Sequence, residues 1–351
     1  MNGRNKTFGI LLLSIVIFLL PVLCSNAQEK FRVMFYNAEN LYDTKDNPNT
    51  NDDDLTPEGN LRWNDYRYWK KLHDISKVIT SVGEGYPPAI VGLCEVENDS
   101  VLFDLTKRAA LLRHKYEYII SDTRDLRGSC TALLYQRDQI KILSRRSYAP
   151  VITTDGSRTT RDILHVTGRV INGQVLDIFV CHFPSRSEGL KKTRPYRIAC
   201  ARLLRQKTDS LLRVRKTANI IVMGDFNDYP YDISLKDTLG AIGLEGELLQ
   251  KNLYNLFYDR SLSKENKEGT YKYRGKWNYL DQLIVSGTLL RSSNRISIRE
   301  NRAHIYSAEF LLENDNDKYG GLKPFRTYSG WRYLGGYSDH LPVYIDLLIK
   351  D

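Results

Sequence analysis

The chain has 351 residues, 42% of them apolar and 26% charged, which is enough to bury a large core in one big α/β domain or two small ones. Its five cysteines match no zinc spacing and no compact disulfide framework, so a small stapled module is excluded. The formal charge of +9, reduced by two when Arg4 and Lys6 leave with a leader, favours an anionic partner without requiring nucleic acid.

In chain order, the first element is an export signal. Arg4 and Lys6 precede an apolar run from Phe8 to Leu23, and Ser25-Asn26-Ala27 supplies a small-x-small cleavage site. The run is shorter than the roughly 20 residues a membrane span needs. Residues 1–27 therefore read as a signal peptide, leaving 28–351 as a single exported domain with no membrane span, periplasmic or secreted and monomeric. Lipid anchoring at Cys24 is the lesser reading, because Leu23 is bulky for such a site. Cys94, Cys130, Cys181 and Cys200 are expected as buried, reduced thiols.

Strand-like runs follow at Phe31–Tyr36, Ala89–Cys94, Thr131–Tyr135, Ile163–Val170, Val175–Cys181, Ile220–Met223, Tyr279–Val285 and Pro342–Leu348. Between them lie helical patterns. Tyr66–Val82 carries Trp69, Leu72, Ile75 and Ile79 on one face, and Leu102–Leu112 and Pro195–Val214 are similar. Lys45–Arg62, Ser261–Lys276 and Asn314–Gly336 read as loops. No internal repeat or low-complexity linker divides the chain. Adjacent strands mixed with strand–helix–strand units predict a mixed-sheet α/β protein with helices outside.

One strand after another ends in polar residues. The first runs into Asn37-Ala38-Glu39-Asn40, the second into Glu95, and Val175–Cys181 into His182. Ile220–Met223 leads through Gly224 to Asp225 and Asn227, which period-2 alternation would point the same way. Asp281 lies inside an apolar strand and needs a partner, for which a histidine is suited. Asp339-His340 directly precedes the last strand. Each residue alone has an ordinary account as a turn, a cap or a satisfied core group. Six such accounts together are a poor explanation. The set supplies oxygen ligands for a hard cation (Glu95, with Glu39, Asp339 and Asn37 near it), favouring Mg²⁺, or Mn²⁺ in its place, over Zn²⁺. It also supplies a carboxylate for water, two histidines and two amides, an inventory for attack of water on a phosphate ester.

These motifs resemble, in order, those of the endonuclease/exonuclease/phosphatase superfamily, which includes deoxyribonuclease I-like and exonuclease III-like enzymes. The matching pieces are Asn37, Leu93-Cys94-Glu95, Val180-Cys181-His182, Gly224-Asp225-Phe226-Asn227, Leu280-Asp281 and Ser338-Asp339-His340. The resemblance implies a four-layer α/β sandwich, two mixed β-sheets face to face with helices outside, and a site where both sheets' strand ends converge. It implies Glu95 as principal Mg²⁺ ligand with Asn37 beside it. Glu39 stands where some members have a shorter aspartate, and Asp339 is a metal-side ligand in some. Asp225 would orient or deprotonate water, Asn227 hold a phosphate oxygen, and His340, oriented by Asp281, contact the scissile phosphate. His182 matches a histidine that in nucleases is supported by a glutamate. Here the comparable Ser129-Cys130-Thr131 has no acid, which directs His182 towards binding. Arg161 reads equally as a phosphate contact or a solvated arginine.

The function expected is a secreted Mg²⁺-dependent phosphodiesterase, a nuclease acting on DNA or RNA. The runner-up is a sphingomyelinase-like enzyme or an inositol- or sugar-phosphate phosphatase. A catalytically silent phosphate-ligand binder is the third reading, although none of the motif residues is replaced. Tyr319–Tyr337, rich in Gly, Lys and Arg, reads as a packed lid over the site rather than a membrane-entering hairpin.

Overall fold

Strand β1 (Phe31–Leu41) shows how the layers are built, because its side chains alternate between two apolar environments. Val33 and Phe35 face one core and Met34 and Tyr36 another. The computed structural model describes residues 31–263, 267–315 and 319–351. The signal-peptide reading of residues 1–27, with Arg4, Lys6 and Cys24, lies outside the described residues.

The other principal strands are β2 (Ile90–Val96), β3 (Glu117–Ile120), β4 (Cys130–Tyr135), β5 (Ile140–Tyr148), β6 (Ile163–Val170), β7 (Val175–His182), β8 (Ile220–Asp225), β9 (Asp281–Ser286) and β10 (Val343–Ile349). One sheet runs Ile296–Ile298, β10, β1, β2, β4, β3, with His304–Ile305 also on β10. The other runs β5, β6, β7, β8, β9, then Leu253–Asn255 and Ala241–Ile242. Both are mixed. The pairs β1–β2 and β7–β8 are parallel, and β1–β10 and β8–β9 are antiparallel. The sheets meet face to face across Val33, Phe35, Val166, Ile178, Met223, Leu283 and Ile345. Outside the first lies α1 (Asp65–Val82), whose Leu72, Ile75 and Ile79 pack on Met34 and Leu93. Outside the second lies α2 (Leu190–Val214), whose Ala201 and Leu204 pack near Phe179, Cys181 and Val222. This is the expected four-layer sandwich. Among the described residues no helix is long and apolar enough to cross a membrane. The four described cysteines are free and buried.

Several local expectations differ. The apolar stripe at 102–112 does not make one helix. A short helix over Asp99–Phe103 widens into a π-turn, where the Ala109 N–H donates to Asp104 O at 2.7 Å, and Ala109 is extended. On α1, Tyr68 and Lys71 take buried places while Trp69 stays half-buried. Asp281 opens its strand rather than interrupting it. Two of the expected loops contain small hairpins, Tyr271–Tyr273 with Lys276–Asn278 and Tyr328–Ser329 with Arg332–Tyr333. Gly275 and Gly330 turn them at φ of 79° and 56°, a region glycine enters without strain.

The 319–337 segment packs against α1 and also reaches Glu39 and Asp339 through the Thr327 N–H and Arg326. Lys71 Nζ donates to Thr327 Oγ1 and Tyr337 O, both at 2.6 Å, and the Arg67 guanidinium sits 4.4 Å from the Tyr333 ring centroid. Its aromatic and polar groups therefore brace α1, and Trp331 remains exposed.

Candidate active site

Two parallel pairs, one per sheet, bring the site together. In the first sheet the β1–β2 register shifts between Asn37 and Leu41, and the β2–β4 register shifts between Cys94 and Val96. The bulged backbone holds Glu39, Asn40 and Glu95 at φ of 50°, 52° and 59°. Non-glycine residues seldom take such values, and they persist where surrounding structure fixes them, often at functional sites. The bulge aims Glu95 out of the ladder. Its Oε2 accepts from the Asn40 N–H at 2.9 Å, and its Oε1 lies 3.4 Å from Asn37 Nδ2.

In the second sheet, parallel pairing sets His182 beside Asp225, and antiparallel pairing sets Asp281 across from it. Asn37 Nδ2 reaches over from the first sheet and donates to Asp225 Oδ2 at 3.1 Å. The same oxygen is 3.6 Å from His182 Nε2 and 3.8 Å from His340 Nε2. His340 Nδ1 is 2.6 Å from Asp281 Oδ2, a donated hydrogen bond when that carboxylate is charged. The His340 backbone N–H donates to Ser338 Oγ, which donates to Asn37 O at 2.7 Å. The loop before β10 is thereby tied to the end of β1.

Asn227 is not aligned with Asp225 by strand alternation. Strand β8 ends at Asp225, and Asn227 turns at φ 51°. Its N–H donates to Asp225 Oδ1 at 2.9 Å and its Nδ2 to Phe183 O at 3.1 Å. Asp339 and Glu39 stand at the margin. Asp339 Oδ2 accepts from Arg326 at 2.8 Å, with Oδ1 3.9 Å from His340 Nε2. Glu39 Oε2 accepts from the Thr327 N–H at 2.6 Å and is 3.8 Å from Lys71 Nζ.

Crowded carboxylates shape the electrostatics. Burial pushes Asp225 up to about 7; the charge on His340 opposes this, while Asp281 and Glu95 reinforce it. Burial also pushes Glu39 up to about 7, with Asp339 adding to it. Desolvation pulls His340 down, but Asp281 and Asp225 outweigh it and hold it well above the ordinary histidine value. His182 goes the other way. Burial drives it well below the ordinary value, helped by Arg161, Arg127 and His340. Its Nδ1 is buried with no hydrogen-bond partner among the described residues, so none of their acids supports it there.

The donors fit a hard divalent cation. Glu95 and Asp225 offer carboxylate oxygens with no thiolate among them, while Asn37 presents its Nδ2 to both and its Oδ1 accepts from the Glu39 N–H at 2.9 Å; Glu95, unlike the nearly buried Asp225, is partly open to solvent. Asp225, Asp281 and His340 are also close enough to converge on one ion. Asp281 and His340, however, already hold each other, so Glu95 is the better holder, with the Asn37 amide beside its carboxylate.

Some participants were not legible in the sequence. Arg161 is buried, with Nε 3.2 Å from Asp125 Oδ2, so it is no solvated surface arginine. The Tyr271 ring lies 4.8 Å from the His340 ring. Asp228, adjacent to the Asp225–Asn227 turn, is buried against Arg197 at 2.8 Å and accepts from Ser234 Oγ at 2.6 Å, which anchors the turn. Its place in the motif was the available signal. Beyond the turn, Tyr229 and Tyr231 stack at 5.3 Å, with Arg186 4.4 Å from the Tyr229 centroid.

The profile of the Endonuclease/Exonuclease/phosphatase family matches residues 32–349. No curated protein matches the chain significantly. Among solved structures, an endonuclease/exonuclease/phosphatase family protein from Bacteroides thetaiotaomicron is 17% identical, with 92% of this chain and 95% of that one covered and a TM-score of 0.54. D. rerio TDP2 complexed with a single-strand DNA product is 16% identical, covering 91% and 99%, TM-score 0.54. A mannosyl-6-phosphatase from Bacteroides thetaiotaomicron is 16% identical, covering 91% and 100%, TM-score 0.54. At these identities the likeness is one of fold.

Proposed function

The chain belongs to the endonuclease/exonuclease/phosphatase family, whose members are metal-dependent phosphoester hydrolases, and from that premise we propose that it is an exported Mg²⁺-dependent phosphodiesterase acting as a nuclease. The observation that carries the chemistry is the convergence of Asn37, His182 and His340 on one oxygen of Asp225, with Glu95 beside them. The stacked Tyr229–Tyr231 pair under Arg186 supports a substrate with stackable bases on an anionic backbone.

Glu95, with the Asn37 amide beside it, would hold the divalent cation, which when bound supplies charge neutralisation and polarisation of the phosphate. Asp225, raised towards neutrality, is suited to orient a water and take its proton. His340, kept charged by Asp281, donates to a phosphate oxygen as negative charge grows there. Asn227 anchors the turn through one amide hydrogen and offers the other to the phosphate. His182, neutral and unsupported, binds rather than shuttles protons.

That unsupported histidine also favours a second reading, a phosphatase for sugar or inositol monoesters, because a nuclease-type acid–base pair is incomplete. One assay separates the two. The mature chain is given single-strand DNA, RNA, bis-(p-nitrophenyl) phosphate and mannose 6-phosphate with Mg²⁺ or EDTA. Cleavage of DNA or RNA and the synthetic diester, abolished by EDTA and by His340→Ala, supports the nuclease. Turnover confined to the monoester selects the phosphatase, and wild-type activity in His340→Ala would overturn the mechanism.

A further inference from the structure

Away from the strand ends, a cleft of about 420 Å³ opens between β5, β6 and the C-terminal half of α2. Its position follows from strand alternation. Along β7, Ile178 and Val180 face the core between the sheets, while Phe179 faces α2. Asp177 shares the Phe179 face by the same period. His165 pairs with Phe179 and Thr167 with Asp177 across the β6–β7 ladder. His182 lies three residues beyond Phe179 at the strand end. The cleft is therefore on the outer face of the second sheet, on the order of 10–16 Å along β7 from the active site. No residue of the strand-end cluster lines it.

Its floor is polar, buried and fixed. Asp177, 1% exposed, accepts from Thr167 Oγ1 at 2.6 Å and from Arg215 Nε at 3.1 Å, and its Oδ1 lies 3.1 Å from His165 Nε2. His165 stacks on Phe179 with centroids 4.2 Å apart, and its Nδ1 lies 3.4 Å from the Tyr148 hydroxyl. The strand-end chemistry uses none of these groups.

The rim is basic. Arg146 comes from β5, and Lys207 and Arg213 from α2. Lys207 Nζ sits 4.5 Å from the Tyr148 ring centroid. Asp177 is already matched by Arg215, and Asp209 of α2 by Arg205 at 2.9 Å. Among the described residues, no carboxylate lies within 4.0 Å of Arg146, Lys207 or Arg213. Three uncompensated cations around one cleft repel each other unless an anion joins them.

We propose that this cleft is a second anion-binding site, which takes the phosphate group of a small phosphorylated molecule. Guanidinium groups match phosphate oxygens in pairs, and Ser210 adds a neutral hydroxyl donor. The volume falls in the range of about 300–1,000 Å³ usual for small-molecule pockets. Tyr148 and Leu211 give one wall an apolar surface for the carbon skeleton.

The test titrates metal-free protein in EDTA with inorganic phosphate, with glucose 6-phosphate and with glucose. Calorimetry and the imidazole ¹H–¹⁵N resonances of His165 report binding. Both phosphates are expected to saturate one site and shift His165, while glucose does neither. Arg146→Glu and Lys207→Glu should each weaken binding at least tenfold, and His340→Ala should leave it unchanged. Tighter binding of glucose 6-phosphate assigns the site to an organic phosphate, and equal affinities assign it to the ion. Both altered side chains lie outside the core, and thermal melting checks that each variant folds; if one does not, the other decides. Absence of saturable binding overturns the proposal, as does binding that survives in the glutamate variants or disappears in His340→Ala.

Discussion

His340 Nδ1 lies 2.6 Å from Asp281 Oδ2, a contact that joins the loop before β10 to the first residue of β9. Burial alone would strip the proton from this ring, but Asp281 and Asp225 outweigh it, so the imidazolium persists above the usual histidine range. Asp281→Asn keeps the size and removes the charge. His340 should then lose its proton at a lower pH. The alkaline limb of the pH–rate profile should move down, with kcat reduced about 10²–10⁴-fold, the usual scale for an acid–base group. An unmoved alkaline limb would show that Asp281 does not set the charge of His340.

His182 predicts the opposite behaviour. Desolvation, with Arg161, Arg127 and His340 around it, keeps the ring neutral through the physiological range, and its Nδ1 has no partner among the described residues. His182→Asn preserves a polar contact without a titrating ring. The expected result is a loss of kcat/KM of about tenfold, with both limbs of the profile in place. A shifted limb would instead make His182 a proton carrier.

The contrast between these histidines was partly legible in the sequence. Gly-Asp-Phe-Asn and Ser-Asp-His are local patterns, and the missing acid near Ser129-Cys130-Thr131 already separated His182 from His340. Continuous apolar runs in β1 and β7 likewise announced strands buried on both faces. Strand β5 did not announce itself. It is an edge strand whose Arg145 and Arg146 face solvent, so it lacks the apolar run that marks a buried strand. The orientation of Asn227 was also hidden, because it depends on a left-handed backbone and a hydrogen bond to Phe183 O, neither of which follows from strand period. Burial of Arg161 depends on Asp125, distant in sequence and close only after folding.

The Asp177 network makes a stability prediction with a defined sign. Burial alone would raise this carboxyl, but hydrogen bonds from His165, Thr167 and Arg215 lower it below the usual aspartate value. A depressed folded pKa gives stability that is present above the unfolded value of about 3.9 and lost as pH falls through the folded one. Asp177→Asn leaves the Arg215 guanidinium without its counter-ion. Because Arg215 is partly exposed, the cost should fall below the 3–5 kcal/mol of a fully buried pair, at about 1–3 kcal/mol. Melting curves should show a constant gap between wild type and variant from pH 5 to 8, narrowing below pH ~4. A gap that widens in acid would contradict the assignment.

Gly224 carries the last prediction, because it sets how closely β7 and β8 approach beneath His182 and Asp225. A Cβ at this position would stand 2.4 Å from the carbonyl oxygen of Cys181 and 2.8 Å from its Cβ. The first of these is backbone in the neighbouring parallel strand, which cannot rotate away. Gly224 pairs with Cys181, and one residue on, Asp225 pairs with His182. Gly224→Ala must therefore spread the strands where they place both side chains. Overpacking of this kind costs about 1–3 kcal/mol, and a misplacement of about 1 Å can lower turnover by about 10². Adding Cys181→Gly removes the Cβ contact but not the carbonyl, so the double variant should remain impaired in both melting temperature and kcat. Full recovery in the double variant would mean that side-chain crowding, and not the spacing of the two backbones, is what requires glycine beside Asp225.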